Sequence, residues 1–192
     1  MRKLIILFIF LLITGCWDYR ELDEYTLVSG MAIDYIDAEY HVSLLMYKQI
    51  DKDMEIEIIN ESGKSIKQII QTLETKNTKK ITLSHLSLVI VSEELATEGI
   101  ADIIDFFLHS DSQNFYLLVG KDELLPFTKQ IVDKIASSEK QYKANFKDFI
   151  RRFYTQGLEP VTNGVRLHHG HIEITDLAFF KDARLISWQG SE

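Results

Sequence analysis

The sequence predicts an α+β fold: a mixed, mostly antiparallel sheet flanked by helices. Three observations point there. Segments rich in β-formers with alternating polarity cluster towards both ends of the chain, bounded by turn residues. Between them lie stretches whose apolar residues fall at helical spacing. The middle also holds short apolar runs such as Leu88-Val89-Ile90-Val91, which read as strands buried on both faces. The resulting order, β-β-(β)-α-β-α-β-α-β-β-β, mixes adjacent strands with helical crossovers.

The elements follow in order. Residues 25–34 and 40–49 make a hairpin across the polar turn Asp37-Ala38-Glu39, and residues 55–60 alternate Glu55, Ile56, Glu57, Ile58 before Gly63 breaks the run. Ile66, Ile69, Ile70 and Leu73 share one face of a helix over 64–75. Residues 86–92 form a buried strand. Ser92 then caps a helix expected to reach about His109, with Glu93 and Glu94 in its first turn, where the dipole favours acids. Ile100, Ile103, Ile104, Phe107 and Leu108 supply its apolar stripe, with Gly99 tolerated. Residues 115–120 are another buried strand, and 122–126 a turn or helical start. A long helix over 138–156 carries Tyr142, Phe146, Phe149, Ile150 and Phe153 and stops at Gly157. Strands over 161–168, 172–180 and 185–188 close the chain, with turns at Gly170 and Asp182-Ala183.

Composition bounds what such a chain does. With 192 residues, 46% hydrophobic, it is long enough to bury roughly 70% of its unfolded surface in one domain without disulfide or metal. Its net charge of −8 argues against nucleic acid and against anionic lipid headgroups, since the basic stretches 76–80 and 140–152 are interleaved with polar or acidic residues and read as solvated faces.

The N-terminus is the most informative segment. Met1-Arg2-Lys3 precedes an uninterrupted apolar run over 4–13 and then Thr14-Gly15-Cys16, the order of an export signal. At 1.5 Å per residue that run spans about 15 Å, half of the roughly 30 Å hydrocarbon core, too short for a stable span. Ile13-Thr14-Gly15-Cys16 resembles the lipobox of bacterial lipoproteins, which implies a diacylglycerol thioether on Cys16 and cleavage before it. The competing reading is an ordinary signal with an incidental thiol. The chain's single cysteine stands at the one position the motif requires, which favours lipidation. Expected boundaries are therefore a signal over 1–15, a tether over 16–24 and a domain over 25–192.

Other candidate chemistry is weak. His169 and His171 would share a strand face, extended by Glu173, but a turn there scatters His168, His169 and His171, and no metal site is expected. Glu93 and Glu94 point about 100° apart on a helix and do not make an acid–base pair. Ser84-His85 adjacency does not create catalytic geometry. Phosphate loops, dinucleotide fingerprints and zinc-protease motifs are missing from the sequence. The Phe146, Phe149, Phe153 stripe reads as core, or as a docking face if exposed.

Several of these residues together resemble a family. Cys16-Trp17-Asp18-Tyr19-Arg20-Glu21-Leu22, Ser29-Gly30-Met31-Ala32-Ile33-Asp34, Ser84-His85, Ser92-Glu93-Glu94-Leu95-Ala96, Asp105-Phe106-Phe107 and Ala178-Phe179-Phe180-Lys181-Asp182 recur in order in the Ger(x)C family, the C-subunit lipoproteins of spore germinant receptors. The chain departs from it at His109-Ser110-Asp111-Ser112-Gln113, where the family tends to carry arginines. The resemblance covers the family's N-terminal part alone, so a truncated or split product is expected.

It implies a non-catalytic subunit without cofactor, with Cys16 as its lipid-attachment residue. Such a subunit sits on the outer face of the inner spore membrane beside the integral-membrane A and B subunits of a complex that answers to small nutrients. The alternative is a freestanding lipid-anchored solute-binding or cell-envelope lipoprotein, which would need a deep apolar cleft.

Overall fold

In the computed structural model, residues 25–50, 53–77, 79–121, 145–168 and 171–190 are described. They run β1 (Tyr25–Ile36), β2 (Glu39–Ile50), β3 (Asp53–Gly63), α1 (Ile66–Asn77), β4 (Lys80–Thr82), β5 (Leu88–Ser92), α2 (Glu93–Glu98), α3 (Ala101–Leu108), β6 (Tyr116–Lys121), α4 (Phe146–Tyr154), β7 (Val161–His168), β8 (His171–Lys181) and β9 (Arg184–Gln189). The strands form one sheet in the order β3-β2-β1-β5-β6-β7-β8-β9, with β4 beside the start of β1. Its two wings are antiparallel: β1 with β2 and β2 with β3 on one side, β7 with β8 and β8 with β9 on the other. The centre, β1-β5-β6-β7, is parallel throughout. The fold is thus α+β with a mixed sheet, its long ladders antiparallel.

Two-residue loops make two of the hairpins. Ile36 pairs with Glu39 and Lys181 with Arg184, leaving Asp37-Ala38 and Asp182-Ala183 as loops with positive φ at both positions (52° and 62°, 49° and 61°). That is the backbone of a type I′ turn, whose twist matches the flanking strands. Aspartate tolerates this conformation; alanine adopts it against its steric preference.

Side-chain alternation divides the core by sheet face. Met31 and Ile33, Val42 and Leu44, Val89 and Val91, Leu117 and Val119 belong to the large cluster that also holds Ile69 and Leu73 of α1, Leu95 of α2, Phe107 of α3 and Phe149 of α4. All four described helices therefore cover one face. Ala32, Leu45, Leu88, Ile90, Leu118 and Val165 form a second cluster on the other face. β5 is buried at every position, which is why its sequence shows no alternation.

Most expected elements recur with ends shifted by one to three residues. Two helices differ. The single helix expected from Ser92 to His109 is broken: Gly99 sits at φ +133°, and the Ile100 N–H leaves the helix to donate to the Ala183 carbonyl at 2.9 Å. A chain of i→i−4 bonds resumes only with Ile104 donating to Ile100. The helix expected over 138–156 does not run through Asn145, whose extended backbone (φ −88°, ψ 172°) and side-chain bond to the Asp148 N–H start α4 at Phe146. Residues 138–144, Tyr142 included, lie outside the described residues, as does the expected turn at 122–126. β4 is an addition; three residues are too few for a period to register in sequence.

The aromatic stripe of α4 is core. Phe146 stacks on Phe115 (4.6 Å between centroids, 18° between planes) and Phe149 meets Phe180 edge-on at 5.2 Å. Replacing exposed Ala38 by glycine relieves its left-handed backbone, so Ala38→Gly should raise the unfolding free energy by about 0.5–1 kcal/mol in urea titrations; a loss of stability would contradict the turn assignment.

Candidate functional site

In a sheet with a parallel centre, the carboxyl ends of the parallel strands are where ligand sites form most readily. Here those ends carry Asp34 of β1, Ser92 of β5 and Lys121 of β6. The Ser92 hydroxyl donates to Asp34 Oδ1 at 2.5 Å while its Oγ accepts from the Leu95 N–H at 3.2 Å, so one oxygen both caps α2 and ties it to β1. The Asp34 carboxylate also accepts from the Tyr35 N–H at 2.8 Å. Next along the chain, Glu93 Oε1 accepts from the indole N–H of Trp188 at 2.7 Å. Lys121 Nζ lies 3.9 Å from the centroid of the same indole and 3.0 Å from Asp176 Oδ2. Trp188 packs so closely on Gly164 that a Cβ there would come within 2.5 Å of the ring. Each polar group of this junction is engaged by another, so its chemistry is that of a clamp holding the β8–β9 hairpin against α2.

Two depressions flank the junction. A groove of about 700 Å³ runs between the start of α1 and α3, with Lys64 and Lys67 on one wall, Asp102 and Asp105 on the other, and Tyr40 and Phe106 between them. Tyr40 donates its hydroxyl proton to Asp102 Oδ2 at 3.1 Å. Burial pushes the Tyr40 phenol up to about 12, helped by the Asp102 charge, that hydrogen bond and neighbouring Tyr35. A smaller cleft of about 380 Å³ lies on the other face of the sheet, lined by Asp34, Ile36, His41, Ser43, Asn60 and Ser62. The first has charged side chains on both walls, and the second is bordered by polar side chains of β1, β2 and β3.

The residues singled out in sequence fall as follows. Cys16 lies outside the described residues. His168 and His171 pair in register at the end of the β7–β8 hairpin; His169 and Gly170 lie outside the described residues. Glu173 is held by Arg166 at 2.8 Å. Among the described residues there is no group of three or more His, Cys, Asp or Glu suited to a metal. Glu93 and Glu94 are not a pair, but Glu93 has a partner that helix-start acidity did not foretell, Trp188, ninety-five positions away. Ser84 bonds Thr82 at 3.0 Å, not His85. His109, in the stretch where the resemblance leads to arginines, bonds back to the Asp105 carbonyl at 2.8 Å. Among the described residues no helix is long and apolar enough to cross a membrane.

Comparison with known proteins decides the family. Residues 18–124 match the model described as the spore germination protein N-terminal domain. The chain belongs to this family. The match begins two residues after Cys16 and takes in Asp34, Ser92, Glu93 and Lys121. Relatives of this spore germination chain include the putative spore germination protein YfkR of Bacillus subtilis (strain 168), 23% identical over 222 aligned positions that cover 94% of this chain and 55% of the relative. Spore germination protein KC of the same organism is 22% identical over 185 positions, covering 80% of this chain and 46% of that protein. The chain thus spans about half the length of the curated relatives it matches. No solved structure matches it.

Two outcomes follow for the germination domain. Gly164→Ala should destabilise it by about 1–3 kcal/mol, because the new methyl meets the Trp188 ring and the buried Thr175 hydroxyl; unchanged thermal unfolding would show the clamp to be loose. Tyrosinate absorbance at 295 nm should show one phenol titrating near 12, and Tyr40→Phe should remove it. The folded pKa is the higher one, so the stabilisation is complete below pH 10 and is lost as pH rises from 10 through 12.

Proposed function

We propose that this spore germination chain is the lipid-anchored C-type subunit of a germinant receptor. It is held on the outer face of the membrane by a diacylglycerol group on Cys16 and assembles with integral-membrane A and B subunits of the receptor. The observation that carries this reading is one of order: Ile13-Thr14-Gly15-Cys16, behind a basic start and an apolar run, stands directly before the stretch matched by the spore germination domain. In this reading residues 1–15 are an export signal removed on maturation, 16–24 a tether and 25–192 the domain.

Two acyl chains supply stable anchoring, each buried methylene adding about 0.8 kcal/mol, so an acidic body stays at the bilayer. Its part in nutrient-triggered germination is assembly and not catalysis. That is supported by the junction at the strand ends, whose acids, lysine and hydroxyl are engaged with one another.

The test is metabolic labelling with an alkyne fatty acid in sporulating cells that express the chain. The wild type should carry the label and appear shortened by its signal; Cys16→Ser should carry none. Affinity purification of the labelled form should bring down multi-span proteins that the Cys16→Ser form does not. A wild-type chain recovered unlabelled, with residues 1–15 in place, would refute the proposal.

A further inference from the structure

Two of the large hydrophobic side chains exposed among the described residues lie four positions apart. Tyr154, at the end of α4, is 68% exposed, and Leu158, in the turn that follows, is 50% exposed. The helix that ends at Tyr154 turns Lys147 and Arg151 to solvent and leaves Arg152 partly so. Within an acidic chain this segment is locally basic, its own acids being Asp148, which holds Arg151 at 3.1 Å, and Glu159.

The topology places that patch. Because β1, β5, β6 and β7 are parallel, all four start at one end of the sheet. α4 lies along that end: the Phe146 N–H donates to the Phe115 carbonyl just before β6 begins, Phe149 packs on Phe180 near the end of antiparallel β8, and the Pro160 carbonyl accepts from the Phe180 N–H just before β7 begins. Exposed Lys80, which opens β4, and exposed Lys181, which closes β8, lie at the same end. The start of β1 is there too, at Tyr25. From Cys16 to Tyr25 the chain reaches at most about 30 Å even fully extended, and three strand spacings, about 14 Å, separate β1 from β7. A lipid on Cys16 therefore joins the domain at this end and brings it within reach of the bilayer.

We infer that the α4 end of the domain is a membrane-contact surface for an anionic lipid bilayer, with Tyr154 and Leu158 seated at the headgroup level and Lys147, Arg151 and Arg152 facing lipid phosphates. Aromatic rings with one polar end favour that depth, and arginines bind phosphate through paired N–H donors. The negative charge on the rest of the body does not prevent this, since at physiological salt it is screened beyond roughly 8 Å. The inference rests on the lipid anchor proposed above. It adds that the domain lies on the bilayer in one orientation instead of swinging on its tether.

The test uses the acylated full chain reconstituted into vesicles of phosphatidylglycerol and phosphatidylcholine, or of phosphatidylcholine alone. Acylation blocks Cys16, so Leu158→Cys supplies a single thiol for a nitroxide, and exposed Ile36→Cys, at the far end of β1, serves as the reference. On the phosphatidylglycerol vesicles, collisional access of a water-soluble nickel complex to the label at 158 should fall several-fold while the label at 36 stays accessible. Adding Arg151→Glu and Arg152→Glu should restore access at 158. Equal access at the two labels would overturn the inference, as would protection at 158 that appears only when receptor membrane subunits are present, which would make the patch a protein-docking face. Mass analysis of the Cys16 peptide in the same sample separates the two failures: an unacylated peptide counts against the anchor, an acylated one with an accessible label counts against the surface.

Discussion

Parallel pairing of β5 with β1 on one side and β6 on the other is the constraint on which the remaining structure depends. A parallel neighbour cannot be reached by a tight turn, so each step across the centre requires a crossover that returns the chain to the starting end of the sheet. The helices described in those connections, and α1 before them, all lie on one face, where Met31, Ile33, Val89, Val91, Leu117 and Val119 meet them. Antiparallel hairpins then extend the sheet outwards from both sides of this centre. One consequence is polarity: the four parallel strands share a starting end and a finishing end, and these differ in chemistry.

At the finishing end, distant parts of the chain are joined by Asp34–Ser92, Glu93–Trp188 and Lys121–Asp176. The magnitudes say what this junction is for. A hydrogen bond to a charged group contributes about 1.5–3 kcal/mol and a partly exposed cation–π contact about 0.5–1 kcal/mol, whereas removing one buried phenylalanine such as Phe149 would cost about 3–5 kcal/mol. Stability is carried by the aromatic and aliphatic core. The junction's larger effect is positional, setting where the β8–β9 hairpin lies and, through the Ala183 carbonyl, where the helix after β5 must break. At the starting end β1 begins, α4 lies crosswise, and basic and aromatic side chains face outwards. Under the proposed anchoring, that end is the side for the bilayer and the finishing end the side away from it.

Much of the fold was legible because its signals are local. Alternation in 40–49 and 55–60, the continuous apolar run of β5, the side-chain caps Ser92 and the Asp-Ala pairs at both type I′ turns are set within a few residues of themselves. The family resemblance was legible for a different reason: its residues recur in order along the chain, so no geometry is needed to see them. The junction was less so. Ser92 and Glu93 could be read as a helix start, but nothing near them announces Trp188 or Asp34 as partners, because contacts across ninety-five or fifty-eight positions leave no period in the sequence.

What the sequence determined by itself is most of the elements, the turns between neighbouring strands and the family. What only the tertiary structure decided is which strands neighbour one another, the break at Gly99, the start of α4 at Phe146 and the gathering of Lys80, Arg151, Tyr154 and Lys181 at one end of the sheet. The physical reason is that a repeat of 2 or 3.6 residues reports which face of an element is apolar, whereas the partner that covers that face, and the hydrogen bond that ends a helix early, are chosen by chain segments brought near only once the sheet has assembled.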